Sequence, residues 1–475
     1  MRHKLAKTPW VGLVLVAMLA FGQVISFPFL HWDDPSLLVD NPLVAAPLAQ
    51  GPLALFRTAS FGYPAPATVL GWSLEHALFG FDPMAFHTTN LLLHLLNLVL
   101  VYRLLLRLIP STPAAALGAT VFALHPIVAE PVAWATGRKD LQATLFVLAA
   151  LLVLLGKRES TELPSARRFA LASALGLLAM LSKPTAAIVP VLLVAAAHHA
   201  WPGEPLRRLL APLAPLCTAA VALVLVGNAG HQALTDAKPR TVAEAIHQVL
   251  SAWALQSQHL VWPRGLLPVY YDLPGDPSTL HLGLGLALLL LLGFAAWRHR
   301  SSALGLGLLV FFAAYAPVAA ILPNRRWVAD SYLYLPLVGV VLALAAIVER
   351  RITRPAPFAV LFSLTLVLFS LGSLVQARTY ASNAALWEPV IERYPTSPAA
   401  FALYGMGLAA DKRDDEAAKV FVHLAKEWPE HPGVESNQAW AFLRLGLPAR
   451  ARERLERGAA RGDAECQRAL KQLTP

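Results

Sequence analysis

The chain has little charge for its length. Asp, Glu, Lys and Arg make up only 14% of its 475 residues, whereas a soluble protein carries about 25%. Hydrophobic residues account for 56%, and the mean hydropathy is +0.54. This composition excludes an ordinary soluble domain and predicts a polytopic membrane protein.

Cysteine and acidic residues are also scarce. Cys217 lies in an apolar run and Cys466 near the C-terminus, so a disulfide framework is not expected. Lys and Arg outnumber Asp and Glu by 39 to 29, which gives a formal net charge of +10. Most of these basic residues lie in short loops between apolar runs, the pattern that orients membrane helices. We therefore expect the lipid bilayer, and no nucleic acid, as a partner.

About eleven apolar runs are candidate membrane spans. The first extends from Trp10 to Leu30 and the last from Pro355 to Val375. The first run is too long for a signal peptide, and no small-x-small cleavage site precedes His31, so we interpret it as an uncleaved helix. The expected fold is all-α, with a polytopic helix bundle over residues 1–378.

Basic residues recur in alternate loops, and most acids lie in the others. This alternation places the N-terminus in the cytoplasm and the C-terminus on the opposite, non-cytoplasmic side. The longest loops, among them the first outer loop at residues 31–85, fall on that outer side. The chemistry is therefore expected outside. The alanine- and proline-rich composition favours a bacterial inner membrane, with the C-terminus in the periplasm.

Residues 379–475 have a different composition, charged and alanine-rich, and they repeat. Tyr394 matches Trp428 and Pro395 matches Pro429, each pair separated by 34 residues. This is the tetratricopeptide period. The sequence predicts a short C-terminal array of helical hairpins on the non-cytoplasmic side.

Asp33 and Asp34 follow the first apolar run directly. Charge at the end of a membrane helix is costly, which favours a functional explanation over two solvated loop acids. A single carboxylate near an acceptor hydroxyl suffices as a general base. We expect Asp33 and Asp34 to be catalytic: Asp33 as base, and Asp34 as its partner or as a metal ligand.

Two further outer segments carry basic residues against the positive-inside trend. The segment His125–Asp140 includes Arg138 and Lys139, and Leu322–Pro336 includes the adjacent Arg325 and Arg326. Basic residues on the acidic side favour an anionic partner such as a lipid phosphate. Internal salt bridges of Arg138 or Lys139 with Glu130 or Asp140 are the alternative. The residues that we expect to line the same site are His125, Glu130, Asp140, Tyr270, Asp272, Asp330 and Tyr332.

Other polar residues in the apolar runs have simpler explanations. Lys183, in LSKPT, is a third basic candidate near the outer face, although snorkelling explains it as well. His87 and His94 lie seven residues apart, on one helical face. Polar core histidines are the simpler interpretation, and a metal pair is the alternative.

The order of these motifs carries a resemblance. WDD and NP in the first outer loop are followed by FHTTNLLLH, HPIVAEPVAWATGRKD and ADSYLYLP, then a last span and the repeats. This order resembles the transmembrane-and-tetratricopeptide-repeat glycosyltransferases, within the polytopic (GT-C) class that uses lipid-phosphate sugars.

The resemblance implies an inverting transferase that moves a sugar, often mannose, from a polyprenyl phosphate to an acceptor, often a protein hydroxyl. It implies an acidic site in the first outer loop, here Asp33 and Asp34. The outer basic residues would then hold the donor phosphate, and the repeats would dock the acceptor protein or glycan. No cofactor is required, and a divalent cation held by Asp34 is left open.

Two other functions compete with this one. A transporter or flippase for lipid-linked sugars would carry charges in mid-helix and inverted repeats, neither of which is evident. A non-catalytic scaffold that recruits proteins through its repeats would explain the C-terminal array. It would not explain the adjacent acids or the outer arginines.

Overall fold

A computed structural model describes residues 9–57, 63–156, 162–234, 241–270, 279–320, 326–429, 433–444 and 446–473. Every regular element in these ranges is a helix, which confirms the predicted all-α class. Clustering of contacts divides the chain into two units. Unit 1 comprises Met1–Phe29, Asp33–Leu266 and Gly275–Ala377, and unit 2 comprises Leu30–Trp32, Leu267–Pro274 and Arg378–Pro475.

The helices of unit 1 follow one another with short connections. They are α1 Pro9–Phe21, α2 Pro42–Ala45, α3 Ala54–Arg57, α4 Pro66–Phe79, α5 Pro83–Leu108, α6 Thr112–Leu124, α7 Ala129–Ala133, α8 Arg138–Leu155, α9 Ala166–Ser182, α10 Val189–Ala200, α11 Leu206–Leu210, α12 Ala214–Leu234, α13 Val242–Val261, α14 Thr279–Arg298, α15 Ala303–Tyr315, α16 Pro336–Arg351 and α17 Pro355–Ala377.

The 37 prolines of the sequence are compatible with this helical fold because many of them begin helices. The first position of a helix needs no N–H donor and suits the fixed φ of proline. Helix α5 is an example: Pro83 is its first residue, and the Asp82 carboxylate accepts from the Met84 N–H at 3.0 Å. Proline therefore sets helix boundaries here and leaves the apolar interiors intact.

The core of unit 1 is built from helices in close contact. Helix α15 packs on α16, α8 packs on α9, and α5 packs on both α6 and α8. At the α15–α16 crossing, a Cβ on Gly339 would lie 2.3 Å from the backbone nitrogen of Phe311. Only glycine lets the two backbones come this close, which is how membrane helices commonly pack.

Three described helical segments are long and apolar enough to cross a bilayer: Pro83–Leu108, Leu206–Leu225 and Pro355–Tyr380. Thr112–Leu124 and Pro126–Ala133, bent by 47°, would form a fourth if they count as one span. These helices indicate an integral membrane protein. The predicted number of about eleven spans is not confirmed, and the orientation of the termini stays a prediction.

Helix α4 lies within the first outer loop. Its buried side includes Trp72 and Glu75, whereas Leu70, Leu74 and Leu78 are 43%, 64% and 66% exposed. These three leucines recur every four residues and so form one stripe. Such a stripe suits a helix that lies in the membrane interface, which remains a prediction.

Unit 2 contains six helices in succession, each packed on the next. They are α18 Asn383–Arg393, α19 Pro398–Ala410, α20 Asp414–Glu427, α21 Val434–Arg444, α22 Pro448–Ala460 and α23 Ala464–Leu473. Ala417 and Ala451, 34 residues apart, are both fully buried. The tetratricopeptide assignment is not confirmed by these features and stays a prediction.

Candidate active site

The segment from His125 to Asp140 folds back on itself and is buried throughout. His125 ends α6: its Nδ1 accepts from the Ile127 N–H at 3.2 Å, so Nε2 donates to the Leu260 carbonyl at 3.1 Å. The return toward α8 passes Gly137, where a Cβ would lie 2.7 Å from the carbonyl oxygen of Pro131. A side chain at this position would force the fold-back open.

Arg138 forms a closed ion pair. Its Nη1 pairs with Glu75, its Nε donates to Asn90 Oδ1 at 2.9 Å, and its Nη2 donates to the Phe86 carbonyl at 2.8 Å. The Arg138 side chain is only 2% exposed. An internal salt bridge was the alternative weighed for this arginine, but its partner is Glu75 and not Glu130 or Asp140.

Lys139 and Lys183 lie near each other beside Asp140. Lys183 Nζ pairs with the Asp140 carboxylate, and Lys139 Nζ donates to the Thr136 carbonyl at 3.1 Å. Lys139 precedes the apolar part of α8. Burial lowers its pKa, while Asp140 and Asp33 oppose this shift and Lys183 and Arg326 reinforce it. These charges therefore share one electrostatic environment.

Arg326 reaches the same region from the chain segment before α16. Its Nη1 donates to Glu130 Oε1 at 2.8 Å, and the Asp330 N–H donates to Glu130 Oε2 at 3.2 Å. Its guanidinium lies 5.7 Å from the centroid of the Trp134 ring, and Lys139 Nζ lies 4.7 Å from the same centroid. The Arg326 side chain is 20% exposed, unlike that of Arg138.

Tyr332 completes this arrangement. Its hydroxyl donates to the Arg326 carbonyl at 2.9 Å, and Lys183 Nζ lies 5.4 Å from the centroid of its ring. We call Lys139, Lys183 and Arg326, together with Trp134 and Tyr332, the cationic cluster.

The two acids of the first outer loop differ in environment. Asp34 is fully buried, and its Oδ1 accepts from the Thr136 N–H at 3.2 Å. Asp33 is half-buried. Its carboxylate acts on the pKa of both Lys139 and Tyr63. The structure therefore brings Asp33 and the cationic cluster into one electrostatic neighbourhood within unit 1.

Two members of this neighbourhood were missed or underestimated from the sequence. Tyr63 is half-buried, and burial raises the pKa of its phenol, with Asp140, Tyr332 and Asp33 adding to the shift. It therefore stays protonated and able to donate. Its sequence context, GYPAP, carries no signal of this role. Lys183 was attributed to snorkelling, although a lysine directly after an apolar run on the outer side was a usable signal.

Several predicted site residues lie elsewhere. Tyr270 belongs to unit 2, where its hydroxyl accepts from the Leu267 N–H at 2.9 Å. Asp272 and Arg325 lie outside the described residues. Asp330 approaches His259 Nδ1 at 3.7 Å, but burial lowers the pKa of His259 to about 4, so the ring is neutral near pH 7.

The two histidines of α5 are core residues. His94 Nε2 donates to the Ala123 carbonyl at 3.0 Å, and its Nδ1 accepts from the Tyr334 hydroxyl at 2.8 Å. His87 Nε2 lies 3.4 Å from the Pro28 carbonyl. In the part of the chain that the structure describes, no group of three or more His, Cys, Asp or Glu side chains could hold a metal ion.

Comparison with known proteins finds relatives of one kind. The chain is 35% identical to human Protein O-mannosyl-transferase TMTC1 over 144 residues, which are 28% of this chain and 16% of that protein. It is 32% identical to human Protein O-mannosyl-transferase TMTC4 over 167 residues, 30% of this chain and 22% of the relative. It is 37% identical to mouse Protein O-mannosyl-transferase TMTC2 over 102 residues, 22% and 12% of the respective chains.

The matched region thus spans less than a quarter of each of these relatives. No protein-family model and no solved structure matches the chain. Within the matched region, the relatives confirm that this chain resembles the transmembrane-and-tetratricopeptide-repeat glycosyltransferases.

Proposed function

We propose that this protein is a membrane glycosyltransferase that moves a sugar from a polyprenyl-phosphate donor to an acceptor hydroxyl on the non-cytoplasmic face. The observation that carries the proposal is the half-exposed carboxylate of Asp33 in the same electrostatic neighbourhood as the cationic cluster. A base and a phosphate-binding group are the two parts that such a transfer needs. The names of the relatives make mannose and a protein acceptor the first pair to test.

Asp33 is the better candidate for the base. Asp34 is fully buried and accepts a backbone hydrogen bond from Thr136, so its proposed role is to fix the loop. Asp33 is half-exposed and can meet a hydroxyl that enters from outside. In an inverting reaction, the acceptor oxygen attacks the anomeric carbon opposite the phosphate while Asp33 takes the hydroxyl proton. The carbon–oxygen bond to the phosphate breaks, and its electron pair stays on the phosphate oxygen.

Lys139, Lys183 and Arg326 are the proposed donor-phosphate ligands. A lipid phosphate needs charge stabilisation as it leaves, and cations in a desolvated site supply it efficiently. Arg326 can offer a planar fork of donors, and its partial exposure gives a ligand access to it. Arg138 is left out of this role because its guanidinium is enclosed and bonded to Glu75, Asn90 and Phe86.

The remaining proposals concern surroundings. The leucine stripe of α4 would lie in the membrane interface, and the helical array of unit 2 would dock the acceptor protein. A bacterial inner membrane, with the array in the periplasm, remains the proposed location. A divalent cation remains untested, and a chelator arm in the transfer assay would detect a requirement for one.

The test is transfer by the full-length protein in lipid nanodiscs. Radiolabelled mannose on polyprenyl phosphate is supplied with a mixture of Ser- and Thr-containing peptides, and labelled peptide is counted. Asp33→Asn keeps the side-chain shape and removes the base, so transfer should fall by about a hundredfold or more. Asp40→Asn, an exposed acid of the same loop, is the matched control. Near-parental transfer by Asp33→Asn would remove Asp33 as the base.

A further inference from the structure

The three residues that precede Asp33 pack with the C-terminal array in unit 2. The His31 N–H donates to Asn383 Oδ1, and the Trp32 ring meets the Trp387 ring edge-on, with their centroids 5.5 Å apart. Leu30 is fully buried, and Trp387 is 2% exposed. The start of the first outer loop is therefore held by α18, the first helix of the array.

Asn383 is itself held by Asp411 at the end of α19. The Asp411 carboxylate accepts from Asn383 N at 3.1 Å, from Asn383 Nδ2 at 2.9 Å and from Ala384 N at 2.7 Å. An ionised carboxylate only accepts, so it fixes the amide nitrogen of Asn383 toward itself. The amide oxygen then faces His31. A negative charge at the first turn of α18 also suits the helix dipole.

Asp33 thus lies between two anchored neighbours. On one side, Trp32 is packed on Trp387 within unit 2. On the other, Asp34 is fully buried within unit 1 and accepts from the Thr136 N–H. Because the peptide bonds are planar, fixing both neighbours leaves few soft dihedrals to orient the Asp33 carboxylate.

We infer that Trp387 and Asn383 are positioning residues for Asp33, so that the first helix of the array sets the geometry of the base. This inference rests on the proposed function. A base must stay within hydrogen-bond reach of its hydroxyl, and a displacement of about 1 Å can cost a hundredfold in rate. An array that only docked the acceptor would need no such grip on the residues before Asp33.

The decisive measurement separates turnover from binding. In the nanodisc assay, Trp387→Ala should lower kcat about tenfold or more. The KM for the labelled polyprenyl-phosphate donor should stay within about twofold, because the cationic cluster is untouched. Trp387→Phe keeps an aromatic ring against Trp32 and should recover most of the rate. Trp428→Ala is the matched control: it removes the same side chain from the array, where Trp428 packs on Phe401 and His423.

A second measurement does not depend on activity. Amide hydrogen exchange of the peptide covering residues 30–34 reports on the hydrogen bond from His31. Asn383→Ala should raise exchange in this peptide, and Asn437→Ala, an asparagine of α21, should not. A parent-like exchange pattern in Asn383→Ala would show that the anchor is not held in solution and would overturn the inference.

The outcomes are distinguishable. A parental protein that transfers sugar while Trp387→Ala keeps full kcat overturns only the positioning role. An equal loss in Trp387→Ala and Trp428→Ala also overturns it, because the effect would then be general damage to the array. A folded parent without any transfer overturns the proposed function and this inference together.

Discussion

Arg138 and Lys139 are adjacent in the sequence, yet they belong to two different kinds of polar region. Arg138 is 2% exposed and bonded to Glu75, Asn90 and Phe86. Lys139 faces Trp134 and belongs to the cationic cluster, where Arg326 is 20% exposed. A closed ion pair holds helices together, whereas a partly open cluster of cations can receive an anion. Burial and partners, and not residue type, distinguish a structural charge from a binding one.

The largest expected effect is on the closed pair. Arg138→Ala leaves the Glu75 carboxylate buried without its main partner, and breaking such a pair costs roughly 3–5 kcal/mol of stability. We expect most of the protein to be lost from the folded fraction after mild heating in detergent, as measured by size-exclusion chromatography.

The matching control replaces both charges. Glu75→Leu combined with Arg138→Met should recover much of the lost stability, because removal of both partners is often close to neutral. If the double variant also keeps donor binding, Arg138 is structural. A folded Arg138→Ala that fails only in donor binding would contradict this comparison and return Arg138 to the phosphate site.

The next effect is on the open cluster. Arg326→Ala should weaken use of the polyprenyl-phosphate donor by about ten- to a hundredfold, since a charge-assisted contact is worth roughly 1.5–3 kcal/mol. Arg326→Lys should recover only part of the loss, because the planar fork is absent. The KM for the donor in the nanodisc assay measures both.

Two variants make the Arg326 result specific. Glu130 is fully buried, so Arg326→Ala is also tested with Glu130→Gln, which removes the stranded charge. Arg264→Ala is the matched control, since Arg264 stacks on Trp262 at 4.6 Å, an arginine–tryptophan pair apart from the cluster. A donor KM that stays parental in the Glu130→Gln, Arg326→Ala double variant would exclude Arg326 as a phosphate ligand.

The sequence predicted the helical class and most members of the candidate site, but not their partners. Charge against the positive-inside trend identified Arg138 and Arg326 equally, because loop position is the same signal for both. Glu75, the actual partner of Arg138, lies 63 residues earlier, on α4, and no periodic pattern connects them. Tyr63 was missed because a tyrosine among prolines reads as an ordinary turn.

The anchoring of residues 30–32 was likewise beyond the sequence. His31 and Asn383 are 352 positions apart, and a pairing at that separation leaves no local trace. The polar core histidines were easier, because seven-residue spacing places His87 and His94 on one face regardless of tertiary context. Local periodicity was thus readable, and contacts between distant segments were not.

The smallest effect expected concerns pH. Burial lowers the pKa of Lys139 below its ordinary value of 10.5, although Asp140 opposes this shift. A phosphate ligand must be protonated, so the contribution of Lys139 to donor binding should be complete at low pH and lost as pH rises through the lowered pKa. The donor KM of the parent should therefore rise about two- to threefold on the alkaline side, while the other cations still bind. Lys139→Arg keeps its charge to much higher pH and should move that rise upward, with little change near neutrality. Lys412→Arg, an exposed lysine of the array, should leave the profile as it is. An alkaline rise at the same pH in Lys139→Arg and the parent would show that another group is titrating, and the donor phosphate would then have to be assigned to Lys183 and Arg326 without Lys139.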